Sequence, residues 1–372
     1  MKVALVHDYL VDAGGAERIV EVFHQLYPEA PLYTSIFDPK TTFSCFNEMN
    51  VHTSFLQYII KSRRHYKWLL PLYSLAFEKF NFSDYDVVLS SSSAWAKGVI
   101  TPPKVCHISY CHSLMRFAWS FNEYVKREDF PPLLEKILPL VVAPLKKWDM
   151  LSSRRVDYFI ANSKLTTNKI KKIYKRKATI IYPPVRCSDF AVNDSLVKDF
   201  FLIVSRLIPY KRIDIAIEAF NRLGLPLLVV GEGRDRKSLE EIAGPKINFV
   251  GRASGKELKG YYSCCRAFIL SGEEDFGMTS LEAQASGRPV VAYGAGGALE
   301  TVVKGVTGTF FHEQTPEALI KAVKNFDRLE FDSKKIRKHA EKFDVDVFKR
   351  TIKNFVEQKL IEHRQKSQCV AY

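Results

Sequence analysis

The chain lacks any apolar segment long enough to cross a membrane. Its longest uninterrupted apolar run covers residues 137–145 of 372, whereas a membrane-spanning helix needs ~20 apolar residues. His7 and Asp8 interrupt the apolar start of the chain, which argues against a signal peptide. We therefore expect the protein to be cytoplasmic.

The sequence also lacks the motifs by which the commonest enzyme families bind phosphate or zinc. It contains no G-x-x-x-x-G-K-[ST], no H-E-x-x-H and no G-x-S-x-G. Residues 294–299 (GAGGAL) depart from G-x-G-x-x-[GA] at the last position. These absences disfavour kinases, P-loop ATPases, ordinary dehydrogenases, zinc proteases and serine hydrolases.

Cysteine is sparse, with seven residues at irregular spacing and no Cys-x-x-Cys pair. An odd, scattered set disfavours both a disulfide framework and a zinc knuckle. Asp84-Tyr85-Asp86 resembles a metal-binding carboxylate pair, but it precedes its predicted strand and lies at the end of the sheet opposite the ligand-binding end. We interpret it as part of a turn and predict no metal site.

Acidic residues are fewer than basic ones, 41 against 55, which gives a net charge of +14. Residues 1–190 contribute 26 basic and 17 acidic residues, or +9, and the remainder contributes 29 and 24, or +5. This excess suits an anionic partner, whether nucleic acid, phospholipid headgroups or a phosphorylated substrate. The charge alone does not choose among them.

Short β-branched runs alternate with segments of helical period, the pattern of βαβ units that build parallel sheets. Tyr182-Pro183-Pro184 interrupts the pattern, because proline stiffens the chain and cannot donate to a sheet. We therefore predict an α/β protein of two doubly wound, Rossmann-like domains, residues 1–185 and 186–346. The predicted strands are 3–6, 87–89, 105–109, 158–161 and 179–182 in the first domain, and 201–204, 227–230, 247–250, 267–270 and 290–293 in the second.

Ligands of doubly wound sheets bind at the carboxyl ends of strands, so unusual residues there are candidates. Gly14 and Gly15 open a helix after the first strand, where backbone N–H groups can receive phosphate oxygens. A tight turn is the alternative. Arg206 and Lys211 follow the strand at 201–204, and two cations there would neutralise a diphosphate without a metal. Solvated surface side chains are the alternative.

The densest candidate segment, EDFGMTSLE, directly follows another predicted strand. Glu274 is placed to accept hydrogen bonds from sugar hydroxyls and Glu282 from a ribose diol. Backbone N–H groups near Gly277, Met278 and Thr279 would face a diphosphate. A capping box, Thr279-x-x-Glu282, is the alternative, but it leaves Glu274 and Gly277 unexplained.

His112 and Arg116 follow the strand at 105–109 in the first domain, where the histidine is placed to touch a ligand and the arginine to meet an anion. A structural histidine is the alternative. Residues 54–80 and 131–147 combine basic, aromatic and apolar side chains. Such segments lie in a bilayer interface, or form core helices with solvated basic faces.

In order along the chain, these segments resemble the retaining glycosyltransferases of family 4, which have the two-Rossmann GT-B fold. The resemblance covers nearly the whole chain. The strings around His112 and around Val156-Asp157 are similar to bacterial WbaZ-like mannosyltransferases, which act on lipid-linked acceptors. The strings that carry the family resemblance are GGAER at 14–18, YCH at 110–112, ANS at 161–163, YPP at 182–184, SR at 205–206, Lys211, and the Glu274-x7-Glu282 block.

The resemblance implies a role for each donor-side residue. Arg206 and Lys211 would bind the diphosphate of a nucleotide sugar, and Glu282 would hold its ribose. Glu274 would contact the donor sugar, and Gly15 would give a backbone contact to phosphate.

The resemblance also implies that His112 lies beside the transferred sugar and the acceptor. Family members transfer sugar with retention and without a divalent metal. Their C-terminal helix, here residues 347–372, packs back on the first domain, and the domains close over the donor in the cleft between them.

We therefore predict a hexosyltransferase of cell-surface polysaccharide synthesis, with mannose from GDP-mannose as the first choice of donor and a UDP- or ADP-sugar as the alternative. The acceptor would be lipid-linked or an oligosaccharide, and the basic first half would contact an anionic membrane. A nucleic-acid-binding protein is disfavoured, since RNP1, zinc-finger and helix-turn-helix strings are absent. A nucleotide-sugar-binding protein without activity is the remaining alternative. We expect no cofactor.

Overall fold

The computed structural model describes residues 1–59, 70–120 and 132–370. The chain divides into two compact units. Unit 1 comprises Met1–Tyr182 and Lys349–Tyr372, and unit 2 comprises Pro183–Phe348. The first division falls at the prolines that interrupt the sequence pattern, three residues before the predicted boundary.

Unit 1 is a doubly wound α/β unit with a seven-stranded parallel sheet. Its strands are β1 (Val3–His7), β2 (Leu32–Thr34), β3 (Val51–Thr53), β4 (Val87–Ser92), β5 (Cys106–Cys111), β6 (Tyr158–Ala161) and β7 (Ala178–Ile180). Their order across the sheet is β3-β2-β1-β4-β5-β6-β7. The order therefore reverses between β1 and β4, which makes that pair the topological switch point. Its helices are α1 (Gly15–Leu26), α2 (Leu56–Ile59), α3 (Leu70–Glu78), α4 (Arg116–Trp119), α5 (Pro132–Ser152) and α6 (Lys164–Ile173).

Unit 2 repeats this plan with a six-stranded parallel sheet. Its strands are β8 (Phe201–Val204), β9 (Leu227–Val230), β10 (Ile247–Gly251), β11 (Ala267–Leu270), β12 (Val290–Tyr293) and β13 (Gly308–Phe311). The order β10-β9-β8-β11-β12-β13 places the switch point between β8 and β11. Its helices are α7 (Ile213–Leu223), α8 (Arg236–Glu241), α9 (Gly255–Cys264), α10 (Met278–Ala285), α11 (Ala298–Thr301), α12 (Pro316–Phe326) and α13 (Ser333–Ala340), and α14 (Val345–Val370) ends the chain.

Both faces of the unit 2 sheet are covered, which is why its strands are continuous apolar runs. Along β8, Phe201 and Ile203 belong to one buried cluster, and Leu202 between them belongs to another. Successive side chains of a strand point to opposite faces. A parallel sheet buried on both faces favours unbroken runs over polar–apolar alternation.

The predicted α/β class and the doubly wound topology are confirmed. Five predicted strands have the observed bounds, namely β6, β8, β9, β11 and β12. β5 begins one residue later than predicted and extends to Cys111, and β7 ends at Ile180 rather than at residue 182. Strands β2, β3 and β13 were not predicted; β2 and β3 have three residues each, too few to show a periodicity.

Residues 349–370 of the last helix belong to unit 1, where they contact the amino ends of its strands. Arg364 donates to Asp86 Oδ1 at 2.6 Å, and His363 Nε2 lies 2.9 Å from the carbonyl oxygen of Pro103. The backbone N–H of Lys2 donates to Asp86 Oδ2 at 2.7 Å. The hydrogen bond from Lys2 and that from Arg364 together hold the pKa of Asp86 below its usual value. Asp86 therefore has structural partners. Among the described helices, none is long and apolar enough to span a membrane.

Candidate functional site

The candidate residues of unit 2 come together at its switch point. The segment after β8 carries Arg206 and Lys211, and the segment after β11 carries Glu274 and Gly277. Because β8 and β11 are neighbours, their carboxyl ends open on the same edge of the sheet. The set Lys211, Glu274, Gly277 and Glu282 is called the unit 2 cluster below.

Lys211 and Glu274 form a direct ion pair, Nζ to Oε1. Both side chains remain partly accessible, at 12% and 16%. Lys211 ends a 3-10 turn (Pro209–Lys211), and its ammonium also lies 5.0 Å from the ring centre of Tyr210. A partly accessible pair of this kind can exchange its internal partner for a ligand at lower cost than a fully buried pair.

Close backbone packing fixes the position of both charged residues. A Cβ on Gly272 would lie 2.7 Å from the carbonyl oxygen of Lys211, so only glycine fits there. Ser271 Oγ also donates to that oxygen at 3.0 Å. On the other side, the N–H of Gly297 donates to the carbonyl oxygen of Glu274 at 2.8 Å. The segments after three strands therefore support one ion pair.

Gly277 is the N-cap of α10 and has φ +91°, a conformation that favours glycine. Met278 and Thr279 are the first residues of the helix and are half-buried. Their backbone N–H groups belong to the first turn, which has no intrahelical acceptors and carries the positive end of the helix dipole. Because the N-cap is Gly277, a capping box starting at Thr279 is not formed.

Glu282 lies on α10 and is buried, with 4% exposure. Its Oε2 accepts a hydrogen bond from the hydroxyl of Tyr262 at 2.7 Å, and Tyr262 is itself fully buried. Tyr262, on α9, therefore holds the carboxylate that the sequence predicts to bind ribose. Arg206 follows β8 with an exposed side chain.

In unit 1 the predicted Gly14 turn is tied to a buried ion pair. The N–H of Gly14 donates to Glu17 Oε2 at 3.0 Å, and a Cβ on Gly14 would lie 2.8 Å from that oxygen. The other oxygen of Glu17 lies 3.6 Å from Nε2 of His7, at the end of β1. Gly15 begins α1 and is exposed.

Each member of this pair changes the pKa of the other. Burial alone would lower the pKa of His7, but the hydrogen bond and charge of Glu17, with Asp8 and the Ser91 carbonyl, outweigh it and raise that pKa. Burial alone would raise the pKa of Glu17, but His7 outweighs it and lowers that pKa. The charge of His112 lowers it further. The pair is therefore stable in its charged form.

His112, directly after β5, is connected to the same pair through a serine. Its Nε2 lies 2.7 Å from Ser91 Oγ, and Ser91 Oγ lies 3.1 Å from Nδ1 of His7. Asn162 Nδ2 donates to the carbonyl oxygen of His112 at 2.8 Å. The connected set Gly14, Glu17, His7, Ser91 and His112 is called the unit 1 cluster below. Arg116 starts α4, four residues further along, and is half-buried.

Asp8 is a second buried carboxylate at this switch point. Its two oxygens accept the backbone N–H groups of the turn after β4 at 2.6–2.9 Å. The four donors are Ser93, Ala94, Trp95 and Ala96. Asp8 therefore fixes the turn that begins two residues after Ser91.

His7, Asp8 and Ser91 were not predicted as site residues. His7 and Asp8 follow an apolar strand at its carboxyl end, which is the signal that would have indicated them. Ser91 stands in a run of four serines, and nothing in that run singles it out.

Two other features lie outside these clusters. A cavity of about 490 Å³ opens at the amino ends of β8, β9 and β10, beside Phe200, Pro226 and Tyr261, and so lies opposite the unit 2 cluster. Within the described ranges, one group of ligand-type side chains, Cys106, Asp157 and His363, has its ligand atoms within 4.8 Å of one another. It lies beneath α14, away from the carboxyl ends of the strands.

Comparison with known proteins shows the kind of enzyme. The family profile described as "Glycosyl transferases group 1" matches residues 189–343, which include the whole unit 2 cluster. The chain is a glycosyltransferase that carries this domain in unit 2. This glycosyltransferase is 24% identical to the alpha-1,3/1,6-mannosyltransferase ALG2 of Dictyostelium discoideum, over 83% of this chain and 85% of ALG2. It is 36% identical to a GDP-mannose-dependent alpha-mannosyltransferase of Mycobacterium tuberculosis, over 31% of this chain and 32% of that protein.

Several of these alignments are partial. An uncharacterized glycosyltransferase of Methanocaldococcus jannaschii is 29% identical, but the aligned part is 44% of this chain and 47% of that protein. Solved structures match nearly the full length. The glycosyltransferase superposes with a TM-score of 0.75 on sucrose-phosphate synthase from Thermosynechococcus elongatus, at 16% identity over 96% and 99% of the two chains. For HepE from Anabaena, solved with UDP and glucose, the TM-score is 0.71 at 17% identity, over 96% and 100%. Because the sequence identities are this low, the two superpositions support the GT-B fold of this chain and nothing about its substrates.

Proposed function

We propose that this glycosyltransferase transfers mannose from GDP-mannose, with retention, to a lipid-linked or oligosaccharide acceptor in cell-surface polysaccharide synthesis. The unit 2 cluster binds the donor, and His112 acts beside the transferred sugar. The observation that carries the proposal is the Lys211–Glu274 pair beside the first turn of α10, at the switch point of unit 2.

The chemistry of the cluster fits a nucleotide sugar. The ammonium of Lys211 and the N–H groups of Met278 and Thr279 suit diphosphate oxygens. Released from Lys211, the carboxylate of Glu274 can accept hydrogen bonds from sugar hydroxyls. Glu282 is set one turn further along the same helix, and we assign the ribose to it.

The choice of mannose and GDP rests on the relatives. The ALG2 proteins of Dictyostelium discoideum and Homo sapiens are named mannosyltransferases, and the mycobacterial relatives are named GDP-mannose-dependent. The M. tuberculosis alignment covers 31% of this chain, and the name of that relative states a donor but no acceptor, so it supports the donor alone.

We further propose that transfer needs no divalent metal. Once released from Glu274, the ammonium of Lys211 can face the developing negative charge of the leaving diphosphate. Arg206 also follows β8, and the N-terminus of α10 is the positive end of its helix dipole. Fixed cations of this kind supply the charge stabilisation that Mg²⁺ supplies elsewhere.

Peripheral contact with an anionic membrane is part of the proposal. Of the large apolar side chains in the described ranges, Tyr58 and Leu140 are the most exposed, at 82% and 75%. They lie in the two segments, 54–80 and 131–147, whose composition suits a bilayer interface. Residues 60–69 and 131 of these segments lie outside the described residues.

The test is thermal stabilisation by GDP, GDP-mannose, UDP, UDP-glucose and ADP-glucose, with and without EDTA, because a ligand of the folded state raises its melting temperature. We expect selective stabilisation by GDP and GDP-mannose that EDTA does not change. Preference for UDP or ADP would replace the donor in this proposal, and loss of stabilisation in EDTA would contradict metal independence. Sedimentation with anionic vesicles at low salt tests the membrane contact, with neutral vesicles as the control.

A further inference from the structure

The unit 1 cluster is a line of hydrogen bonds whose proton positions follow from its geometry. Nδ1 of His7 lies 3.1 Å from two oxygens of Ser91, the hydroxyl Oγ and the backbone carbonyl. A carbonyl oxygen only accepts hydrogen bonds. Nδ1 of His7 therefore carries a proton, whatever the protonation of Nε2 at the other side of the ring.

This proton decides how the serine hydroxyl is used. Ser91 Oγ has one hydrogen, and it contacts two imidazole nitrogens, Nδ1 of His7 and Nε2 of His112. Since Nδ1 of His7 is a donor, Ser91 Oγ accepts from it. Nε2 of His112 is the other polar atom within hydrogen-bonding distance of Oγ among the described residues, so the hydroxyl gives its own hydrogen to His112. Nε2 of His112 is then an acceptor, at 2.7 Å.

The opposite arrangement is electrostatically unfavourable. If His112 donated from Nε2, the Ser91 hydroxyl would point its hydrogen at Nδ1 of His7. Nδ1 of His7 would then carry no hydrogen of its own and would lie 3.1 Å from the Ser91 carbonyl oxygen, inside the buried switch point. Two electron-rich atoms without a hydrogen between them repel each other strongly in a low dielectric. The ion pair with Glu17 also favours a protonated His7 ring.

We infer that His7 and Ser91 are positioning residues that fix His112 as the tautomer with its proton on Nδ1, and that Glu17 ties the Gly14 turn to the same line. Glu17 contacts the N–H of Gly14 through one oxygen and faces His7 through the other. The candidate phosphate turn and the candidate sugar-side histidine are therefore joined by side chains that the sequence motifs do not include.

The inference gives His112 a defined chemical role. Nε2 is engaged as an acceptor, so it is not the base that takes a proton from an acceptor hydroxyl. Nδ1–H is a hydrogen-bond donor, suited to an oxygen of the transferred sugar or of the acceptor. This role rests on the proposed function, whereas the tautomer is a property of the unliganded protein.

The test is the tautomer of His112 in the full-length protein labelled with ¹⁵N-histidine. Long-range ¹H–¹⁵N correlation at about pH 8, where an ordinary histidine is neutral, distinguishes a protonated ring nitrogen from a bare one. The His112 signals are those lost in His112→Gln. We expect a protonated Nδ1 and a bare Nε2 in the wild-type protein. A protonated Nε2 overturns the inference, with no variant or substrate needed.

Variants of the serine test the cause. In Ser91→Ala we expect His112 to populate both tautomers, whereas Ser91→Thr keeps the hydroxyl and the wild-type pattern. The matched control is Ser90→Ala, because Ser90 Oγ makes the same kind of contact, 2.9 Å from Nε2 of the buried His107. An unchanged tautomer in folded Ser91→Ala would show that something other than Ser91 sets it.

Kinetics then separate the inference from the proposed function. In Ser91→Ala we expect kcat to fall about tenfold, the effect of one lost hydrogen bond, with donor KM changed less than about threefold. Wild-type kcat in a variant with mixed tautomers would contradict the role given to His112. If the wild-type protein transfers no sugar, the proposed function fails while the tautomer measurement still stands.

Discussion

The two units share one topology but use the charges at their switch points differently. In unit 1, His7 and Glu17 are almost fully buried, with side chains 3% and 8% exposed, and both bond to other parts of their own unit. In unit 2, Lys211 and Glu274 are more accessible and contact each other directly. At the carboxyl ends of the strands, unit 1 therefore has a buried ion pair that holds neighbouring groups in place. Unit 2 has a more accessible ion pair at the equivalent position.

This difference has a physical basis. A fully buried ion pair loses most of its hydration and has to be satisfied by protein groups, which fixes its geometry. A partly hydrated pair loses less and can change partners when a charged ligand arrives. Substitutions in unit 1 should therefore affect stability and geometry first, and those in unit 2 should affect turnover first.

The largest effect is expected at Lys211. Lys211→Met removes the ammonium available to the leaving diphosphate, and we expect kcat/KM to fall about 10³-fold, as for loss of a principal electrostatic stabiliser. The measurement is initial-rate kinetics with the donor that stabilises the protein. The matched control is Arg222→Gln, which breaks an exposed ion pair with Glu317 at the far end of α7 and should leave kcat/KM unchanged. A change of less than threefold in Lys211→Met would remove Lys211 from the site.

The next effect is expected on the stability of unit 1. Asp8→Asn turns one acceptor of backbone N–H groups into a donor, so buried N–H groups lose their partner. We expect the free energy of unfolding of unit 1 to fall by about 3 kcal/mol, while the nucleotide response of unit 2 remains. Urea unfolding followed by hydrogen exchange of each unit measures this. In the control, Asp38→Asn changes an exposed turn, where Asp38 accepts from Lys40, and should cost little.

The pH dependence of the His7–Glu17 pair gives a third prediction. The raised pKa of His7 gives stability that is complete below its ordinary value of 6.5 and is lost as pH rises through the raised pKa. The lowered pKa of Glu17 gives stability that is complete above 4.5 and is lost as pH falls through the lowered pKa. Glu17→Gln should therefore cost most between these two values, about 2 kcal/mol, and less at higher pH.

Urea unfolding at a series of pH values measures this cost. The charged or titratable groups around the pair are Asp8 and His112, which both act on it. Glu21→Gln is the control, because Glu21 lies one turn further along α1, where it accepts an exposed hydrogen bond from Gln25. A cost for Glu17→Gln that grows steadily above pH 7 would contradict the charged pair.

The smallest effect is expected at Tyr262. Tyr262→Phe removes the hydrogen bond that holds Glu282, and we expect the donor KM to rise about threefold with kcat nearly unchanged. The neighbouring Tyr261→Phe, which faces the cavity at the amino ends of the strands, is the control. An unchanged KM in Tyr262→Phe would show that Glu282 needs no support from α9.

The sequence predicted most of the fold because the strands are strongly apolar and the helices periodic. β8 and β11 are buried on both faces, so their runs stand out from the flanking segments. Strands β2 and β3 are too short to show a period. They are held by pairing of β2 with β1 and of β3 with β2, which are tertiary contacts. Local pattern does not contain that information.

The site was predictable where one segment of sequence contains it. Glu274, Gly277 and Glu282 lie within nine residues, and a glycine stands at position 277, where the chain has a positive φ directly before the helix. The line from Glu17 to His112 was not predictable, because it joins β1, α1, β4 and β5. Its register depends on the pairing of His7 with Ser91 across the sheet.

The most direct test of the central claim, that the donor diphosphate binds at the switch point of unit 2, is a crystal structure of the protein with GDP. The account predicts the diphosphate within hydrogen-bonding distance of Lys211 Nζ and of the backbone N–H groups of Met278 and Thr279, with Glu274 released from Lys211. A nucleotide bound elsewhere, such as the cavity beside Phe200 and Tyr261 at the opposite ends of the strands, would contradict it.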